Sequence, residues 1–270
     1  MTRIIRSTPH LSRPVWAGPA LSQRFGKPGG EPFVGESWEV WRDNRMPDGR
    51  VLSEVVDFPV LIKLMSTRDV LSVQVHPDDA TARRHGAASG KAEAWVIVEA
   101  DPGARVALGL RGVVSREELR ALALSGQIEE HLAWFDVQPG DVIDVPPGTI
   151  HAIGGGVTLY EIQQPADITW RLYDWGRGRE LHLDDALEVA VAGPAAGPER
   201  RRGRLVEHPL FVVDELLSGE SVADRWRALT CIAGELRVGE ERVVAGDTVI
   251  VEPGSVEVAG DGRGLTAWVP

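Results

Sequence analysis

The sharpest hydrophobic pattern in the chain begins at Leu71, where Leu71, Val73 and Val75 alternate with Ser72, Gln74 and His76. A side-chain period of two predicts a strand with one apolar and one polar face. Ser, Gln and His are not the long charged residues that usually coat a solvated face, so a second reading turns this face into the interior of a barrel. On that reading Gln74 and His76, two apart, can touch one ion. Pro77, Asp78 and Asp79 stop the strand, and a Gly- and Ala-rich loop returns the chain to KAEAWVIVEA (91–100), where Lys91 and Glu93 again share a parity.

Elsewhere the pattern predicts short strands between turns. Residues 1–60 are rich in Gly, Pro and Trp and carry runs such as GESWEVW (35–41), with VLSEVVDFPVLIKLM (51–65) following. SREELRALALSGQIEEHLAWF (115–135) is helical: Ser115 and Glu118 form a capping box, Leu119, Leu122 and Ala123 have helical spacing, and Gly126 is a dividing point. It reads as a small helical insertion between strands, at about 115–133. Strands are expected at Phe135–Val145, Thr158–Gln163 and Thr169–Asp174, then a helix in LHLDDALEVAV (181–191). GPAAGPERRRGR (193–204) reads as a linker, and short alternating segments run to the end.

An internal repeat organises these strands. VQPGDVIDVPPGTIHAI (137–153) aligns without gaps to VVAGDTVIVEPGSVEVA (243–259), sharing Gly140/Gly246, Asp141/Asp247, Val145/Val251, Pro147/Pro253 and Gly148/Gly254. Each copy reads strand, Pro-Gly turn, strand. His151 of the first copy is Glu257 in the second. The expectation is two related β-domains, 1–192 and 205–270, with the second degenerate and lacking metal ligands.

Composition narrows the partners. Forty acidic residues against 29 basic ones give a net charge of −11, which argues against nucleic acid but leaves room for a small phosphorylated ligand held by a few local cations. The single cysteine, Cys231, permits no intrachain disulfide and reads as a buried small hydrophobe. No apolar run suits a signal peptide or a membrane span, so a soluble cytoplasmic protein, monomer or homodimer, is expected. His10, His85, His131, His182 and His208 lack partner spacing and read as surface residues.

Gly140, Pro146, Gly148 and His151 have the spacing of the second cupin motif, whose turn places a histidine at the start of the next strand. The expected fold class is therefore mostly β, with two cupin-type (jelly-roll) β-barrel domains and a few short helices. The first motif departs from the general cupin pattern: it is Gln74-x-His76, with Glu93 much further on. Together LSVQVHPDD (71–79), GKAEAW (90–95), PPGTIHAIGGG (146–156), YEIQQPADITWRLYDWGR (160–177) and GESWEV (35–40) resemble the type I mannose-6-phosphate isomerases over roughly residues 1–190.

That resemblance implies one Zn2+ per chain on Gln74, His76, Glu93 and His151, a donor set that suits zinc. It implies a catalytic position for Arg171, and substrate positions for Lys91 and Glu161 with either as general base. It also places Lys63, Ser72 and Arg177 near the sugar phosphate. Asp174 is a candidate to orient Arg171. The expected reaction interconverts mannose 6-phosphate and fructose 6-phosphate through an enediol. The alternatives are a non-catalytic sugar-phosphate-binding cupin and a different metal-dependent cupin enzyme.

Overall fold

The computed structural model describes residues 2–216, 218–219, 221–222 and 224–270. Among these, the strands form four antiparallel sheets of five, seven, six and four strands. The five-stranded sheet runs Trp170–Tyr173, Val73–Val75, His151–Ile153, Arg105–Leu110, Leu132–Asp136. The seven-stranded sheet runs Glu199–Arg200, Asp141–Val145, Glu93–Ala100, Val157–Gln163, Leu61–Ser66, Glu36–Val40, His10–Ser12. These two sheets face each other across Met65, Trp95, Ile97, Val106, Leu108 and Leu159.

The six-stranded sheet faces the four-stranded one across Leu229, Cys231, Leu236, Val249 and Val258, and Cys231 is buried there as a small core residue. A third cluster joins the two pairs of sheets. Ile62, Leu64, Val96 and Ile162 on the outer face of the seven-stranded sheet meet Phe211, Val213, Ile250 and Leu265 of the six-stranded one. Each such fully buried aliphatic side chain is worth about 1.5–3 kcal/mol. Strict alternation explains the stacking: Ala94, Val96 and Val98 point one way from their strand, while Glu93, Trp95 and Ile97 point the other.

The mostly-β character with a few short helices holds, but the barrel expectation does not. The sheets are open. Leu132–Asp136 and Trp170–Tyr173 are the edges of one sheet, Glu199–Arg200 and His10–Ser12 the edges of its partner, and no ladder joins them. Side chains, not backbone hydrogen bonds, hold the facing sheets together, as in a sandwich. Period-two alternation specifies which face is apolar and says nothing about whether edges close.

The repeat is visible in the fold. Asp141–Val145 lies in the seven-stranded sheet and His151–Ile153 in the one facing it; Thr248–Val251 and Val256–Gly260 do the same in the other pair. Gly148 (φ +86°) and Gly254 (φ +149°) make the turns that carry the chain across, a backbone region open to glycine. Asp141 accepts from the Gln138 amide at 2.9 Å and Asp247 from the Val244 amide at 3.2 Å, so the Gly-Asp entry closes both copies alike.

The segment read as helical, with Gly126 as its dividing point, forms two helices, Arg116–Ser125 and Ile128–His131, followed by the strand Leu132–Asp136. Ser115 Oγ accepts from the Glu118 amide at 3.1 Å, and Gly126 ends the first helix in the left-handed conformation. With Leu183–Val189 these helices cover the back of the five-stranded sheet. Part of the segment read as a linker pairs as a strand, Glu199–Arg200 against Val142 and Asp141. Near the other end of the chain, Ile4–Ile5 pairs with Ile250–Val251 of the six-stranded sheet. Among the described residues, no helix is long and apolar enough to cross a membrane.

Candidate metal centre and cavity

Register brings the candidate ligands together. Val73 and Val75 bury under the helices, which turns Gln74 to the opposite face, toward the sandwich interior. Gln74 pairs directly with His151 on the next strand and with Arg171 on the other side. From the facing sheet, Glu93 pairs with Gln163 and Glu161 pairs with both Lys63 and Trp95. His76, Lys91, Glu93, His151, Lys63, Ser72 and Glu161 are all buried.

His76, Glu93 and His151 offer ligand atoms lying within 4.8 Å of one another. His76 Nε2 is 3.4 Å from Glu93 Oε2, and His151 Nε2 is 3.5 Å from Glu93 Oε1. Ligands bound at about 2.0–2.1 Å in a tetrahedral shell lie about 3.3 Å apart, so these separations fit one ion between them. His151 Nδ1 donates to the Thr149 carbonyl at 2.9 Å, which leaves Nε2 as the lone-pair nitrogen. His76 Nε2 accepts from Lys91 Nζ at 3.0 Å and so also carries its lone pair on the Glu93 side. Glu93 Oε1 is buried without a hydrogen-bond partner.

The electrostatics suit a cation. Burial holds His151 down to about 4 and His76 well below its usual value, with Lys91 adding to both, so both rings are neutral at pH 7 as metal ligands must be. Burial pushes Glu93 up to about 7 against the pull of Lys91, the mark of a carboxylate short of positive charge. Gln74 Nε2 is 3.2 Å from His151 Nε2, and Gln74 Oε1 accepts from Ser72 Oγ at 3.0 Å, so the amide borders the same space. The residues present therefore fit a divalent ion of the zinc type.

A cavity of about 400 Å³ opens beside this centre, lined by Ser72, Gln74, Lys63, Lys91, Glu161 and Arg171 among others. Lys63 sits 3.1 Å from Glu161 and 3.7 Å from Glu36. Trp95 Nε1 donates to the other Glu161 oxygen at 3.1 Å. Burial alone raises a carboxyl, but at Glu161 Lys63 and Lys91 outweigh it and hold the group below its ordinary value. The Nε of Arg171 is buried with no hydrogen-bond partner, and burial followed by the neighbouring charge of Arg179 lowers its pKa.

Two expectations do not match this geometry. Arg177 is absent from the cavity lining: its guanidinium donates to the Val70 carbonyl at 2.8 Å and to Asp174 at 2.9 Å. Asp174 does not orient Arg171, because its oxygens are taken by Arg177 and by Arg179, whose Nε donates at 2.8 Å. Four titratable side chains with no site role expected from the sequence also line the cavity: Glu36, Asp167, Arg179 and His182. His182 had read as surface. In fact its Nδ1 accepts from the Arg171 amide at 3.1 Å.

No family model matches the sequence. Comparison with individual proteins is decisive. The chain is 35% identical over 281 aligned positions to a mannose-6-phosphate isomerase of Bacillus subtilis, covering 89% of this chain and 87% of that protein. It is 34% identical over 215 residues to the mannose-6-phosphate isomerase of Streptococcus mutans, covering 69% of this chain and 67% of that protein. Among solved structures, the Bacillus subtilis mannose 6-phosphate isomerase superimposes with TM-score 0.87 at 26% identity over 98% of this chain and 99% of that one. A mannose 6-phosphate isomerase solved with zinc and yttrium shares the fold at TM-score 0.77 and 15% identity, over 98% and 99% of the two chains. With its buried ligand-type triad beside a charged cavity, the chain belongs to the mannose-6-phosphate isomerase family, related to the type I enzymes.

Proposed function

We propose that this chain interconverts mannose 6-phosphate and fructose 6-phosphate, with zinc held by His76, Glu93, His151 and the Gln74 amide. The observation that carries the reading is the buried His76/Glu93/His151 triad, joined through Lys91 to a cavity that Lys91, Glu161 and Arg171 line, in a chain of this family. Bound there, a divalent cation supplies Lewis-acid polarisation of the substrate's oxygens.

An aldose–ketose isomerisation moves a proton between C1 and C2 through an enediol, so the chain must supply a base and stabilise charge on oxygen. Glu161 is held ionised by Lys63 and Lys91 and fixed by the Trp95 N–H, which suits it to accept and return the carbon-bound proton. Lys91, donating to both His76 and Glu93, is the nearest ammonium to the triad and is placed to donate to a substrate oxygen. Lys91 as base is the alternative, and the two exchange roles in that case. Arg171 offers its unpartnered Nε to the enediolate. Burial of Glu161, Lys63 and Lys91 strengthens the charge–charge contacts among them.

The test is a proton NMR time course of mannose 6-phosphate in D2O with the zinc-loaded protein. Appearance of fructose 6-phosphate with exchange at the C1 and C2 positions supports the reading. An unchanged spectrum at saturating protein contradicts it.

A further inference from the structure

Lys91 sits on a stretch of backbone that belongs to no helix or strand. Between the helix Asp79–Arg84 and the strand Glu93–Ala100 the chain returns through Gly90, Lys91 and Ala92, and all three are buried. Buried backbone N–H groups need partners, and here each of the three has a different one. The Lys91 amide donates to the Pro77 carbonyl at 3.0 Å. The Gly90 amide donates to Asp79 Oδ1 at 2.8 Å, and the Ala92 amide to Gln164 Oε1 at 2.9 Å. Gly90 has no room for a side chain: a Cβ there would stand 2.7 Å from the Pro77 carbonyl oxygen, so the two backbone segments touch directly.

Gln164 closes the arrangement. It follows the strand Val157–Gln163, which carries Glu161, and its backbone amide donates to the Ala92 carbonyl at 3.1 Å. Its Nε2 donates to Asp79 Oδ1 at 2.8 Å, the same oxygen that takes the Gly90 amide. One side chain thus ties the first turn of the helix after His76 to the Lys91 segment and to the end of the Glu161 strand. Asp79 Oδ2 meets Arg83 at 3.3 Å. The Gly90 amide, and after it Gln164, hold the Asp79 carboxyl below its ordinary value, as charge-assisted hydrogen bonds do. Gln163 donates from Nε2 to the Gln164 and Ala166 carbonyls, at 2.9 and 2.6 Å, so the Gln164 backbone is itself fixed. A buried amide bonded through both its oxygen and its nitrogen specifies one arrangement where an apolar side chain would not.

We infer that Gln164, with Asp79, is a positioning residue for Lys91: it fixes the Gly90–Ala92 backbone so that the Lys91 ammonium reaches Glu93, His76 and the cavity from one direction. Neither Gln164 nor Asp79 lines the cavity, so their effect on the reaction passes through Lys91. The consequence for turnover rests on the isomerase reading; the brace on the backbone does not.

The experiment sets turnover beside backbone protection in the whole chain. Gln164→Met should lower kcat for mannose 6-phosphate about tenfold or more, with KM little changed and one metal per chain retained, because a misplaced catalytic group costs rate and not ground-state binding. In a Lys91→Met background the same substitution should lower kcat no further, whereas general damage to the fold would lower it again. Asp79→Asn, which keeps the Oδ1 acceptor, should recover most of the turnover that Asp79→Ala loses. Hydrogen exchange should show the Gly90–Ala92 amides exchanging about tenfold faster in Gln164→Met, with the strand Val157–Gln163 as protected as in the wild type. Equal kcat in the wild type and Gln164→Met, or a further loss on top of Lys91→Met, overturns the inference, as does unchanged exchange at Gly90–Ala92. Gln164-dependent protection in a protein that does not turn over mannose 6-phosphate upholds the brace and defeats the isomerase reading.

Discussion

Lys91 Nζ lies 3.0 Å from His76 Nε2 and donates to the same Glu93 carboxylate that His76 and His151 flank. An ammonium therefore borders the place where the ligand atoms converge, yet it is the carboxylate, not the amine, that the two imidazoles share. This separates holding an ion from moving a proton. Lys91→Met should keep one metal per chain and lose turnover by about 100-fold or more, the usual scale for an acid–base group. Metal analysis and kcat on the same preparation check it, and loss of metal in step with activity would place Lys91 among the groups that hold the ion.

Removing a ligand should do the reverse. His151 reaches the centre through Nε2 because Thr149 holds Nδ1, so His151→Ala removes one donor and exposes Glu93 to a half-empty site. The expected result is metal content falling from near one equivalent to near zero after dialysis, with turnover lost. Retained stoichiometric metal would move the ligand set elsewhere.

Trp95 links packing to chemistry. Its ring lies edge-on to His151 with centroids 5.4 Å apart, and its Nε1 donates to Glu161 at 3.1 Å. Trp95→Phe keeps most of the buried ring and deletes only the donor. Turnover should fall about tenfold with metal content unchanged, since one hydrogen bond to a charged group is at stake. An unaffected kcat would show that Glu161 needs no such brace.

The part of the site legible in the sequence is the part governed by parity. Gln74 and His76, or Lys91 and Glu93, are two apart, so period two alone puts each pair on one face. Glu161 beside Lys63 is different: that contact depends on the register of Val157–Gln163 against Leu61–Ser66, which no local pattern encodes. Arg177 and Arg179 sit in a turn where Trp175 (φ +54°) and Gly176 (φ +71°) reverse the chain, so no periodicity tells which guanidinium faces the cavity. His182 immediately precedes the helix Leu183–Val189 and read as surface for the same reason. The barrel expectation rests on the spacing of Gly140, Pro146, Gly148 and His151, which specifies a strand, a turn and a strand and carries no information on whether sheet edges close.

The Asp174 cluster gives a pH dependence with a defined sign. Burial raises the Asp174 carboxyl, but Arg179 and Arg177 outweigh it and hold it below its ordinary value. A carboxylate with a depressed folded pKa contributes stability that is present above the unfolded value, near 3.9, and lost as pH falls through the folded one. Asp174→Asn should cost about 1–3 kcal/mol at pH 7, because two arginines lose their acceptor, and the deficit should shrink toward pH 3. Urea unfolding at both pH values reads this directly. An equal deficit at the two would mean that packing rather than charge is responsible.

The central claim, a metal-dependent sugar-phosphate isomerase built on His76, Glu93 and His151, is tested most directly by one coupled assay. Mannose 6-phosphate conversion to fructose 6-phosphate is measured on the protein as purified, after chelation verified by metal analysis, and after zinc is restored. The account predicts activity that disappears with the metal and returns with zinc. Full activity in verified metal-free protein would contradict it.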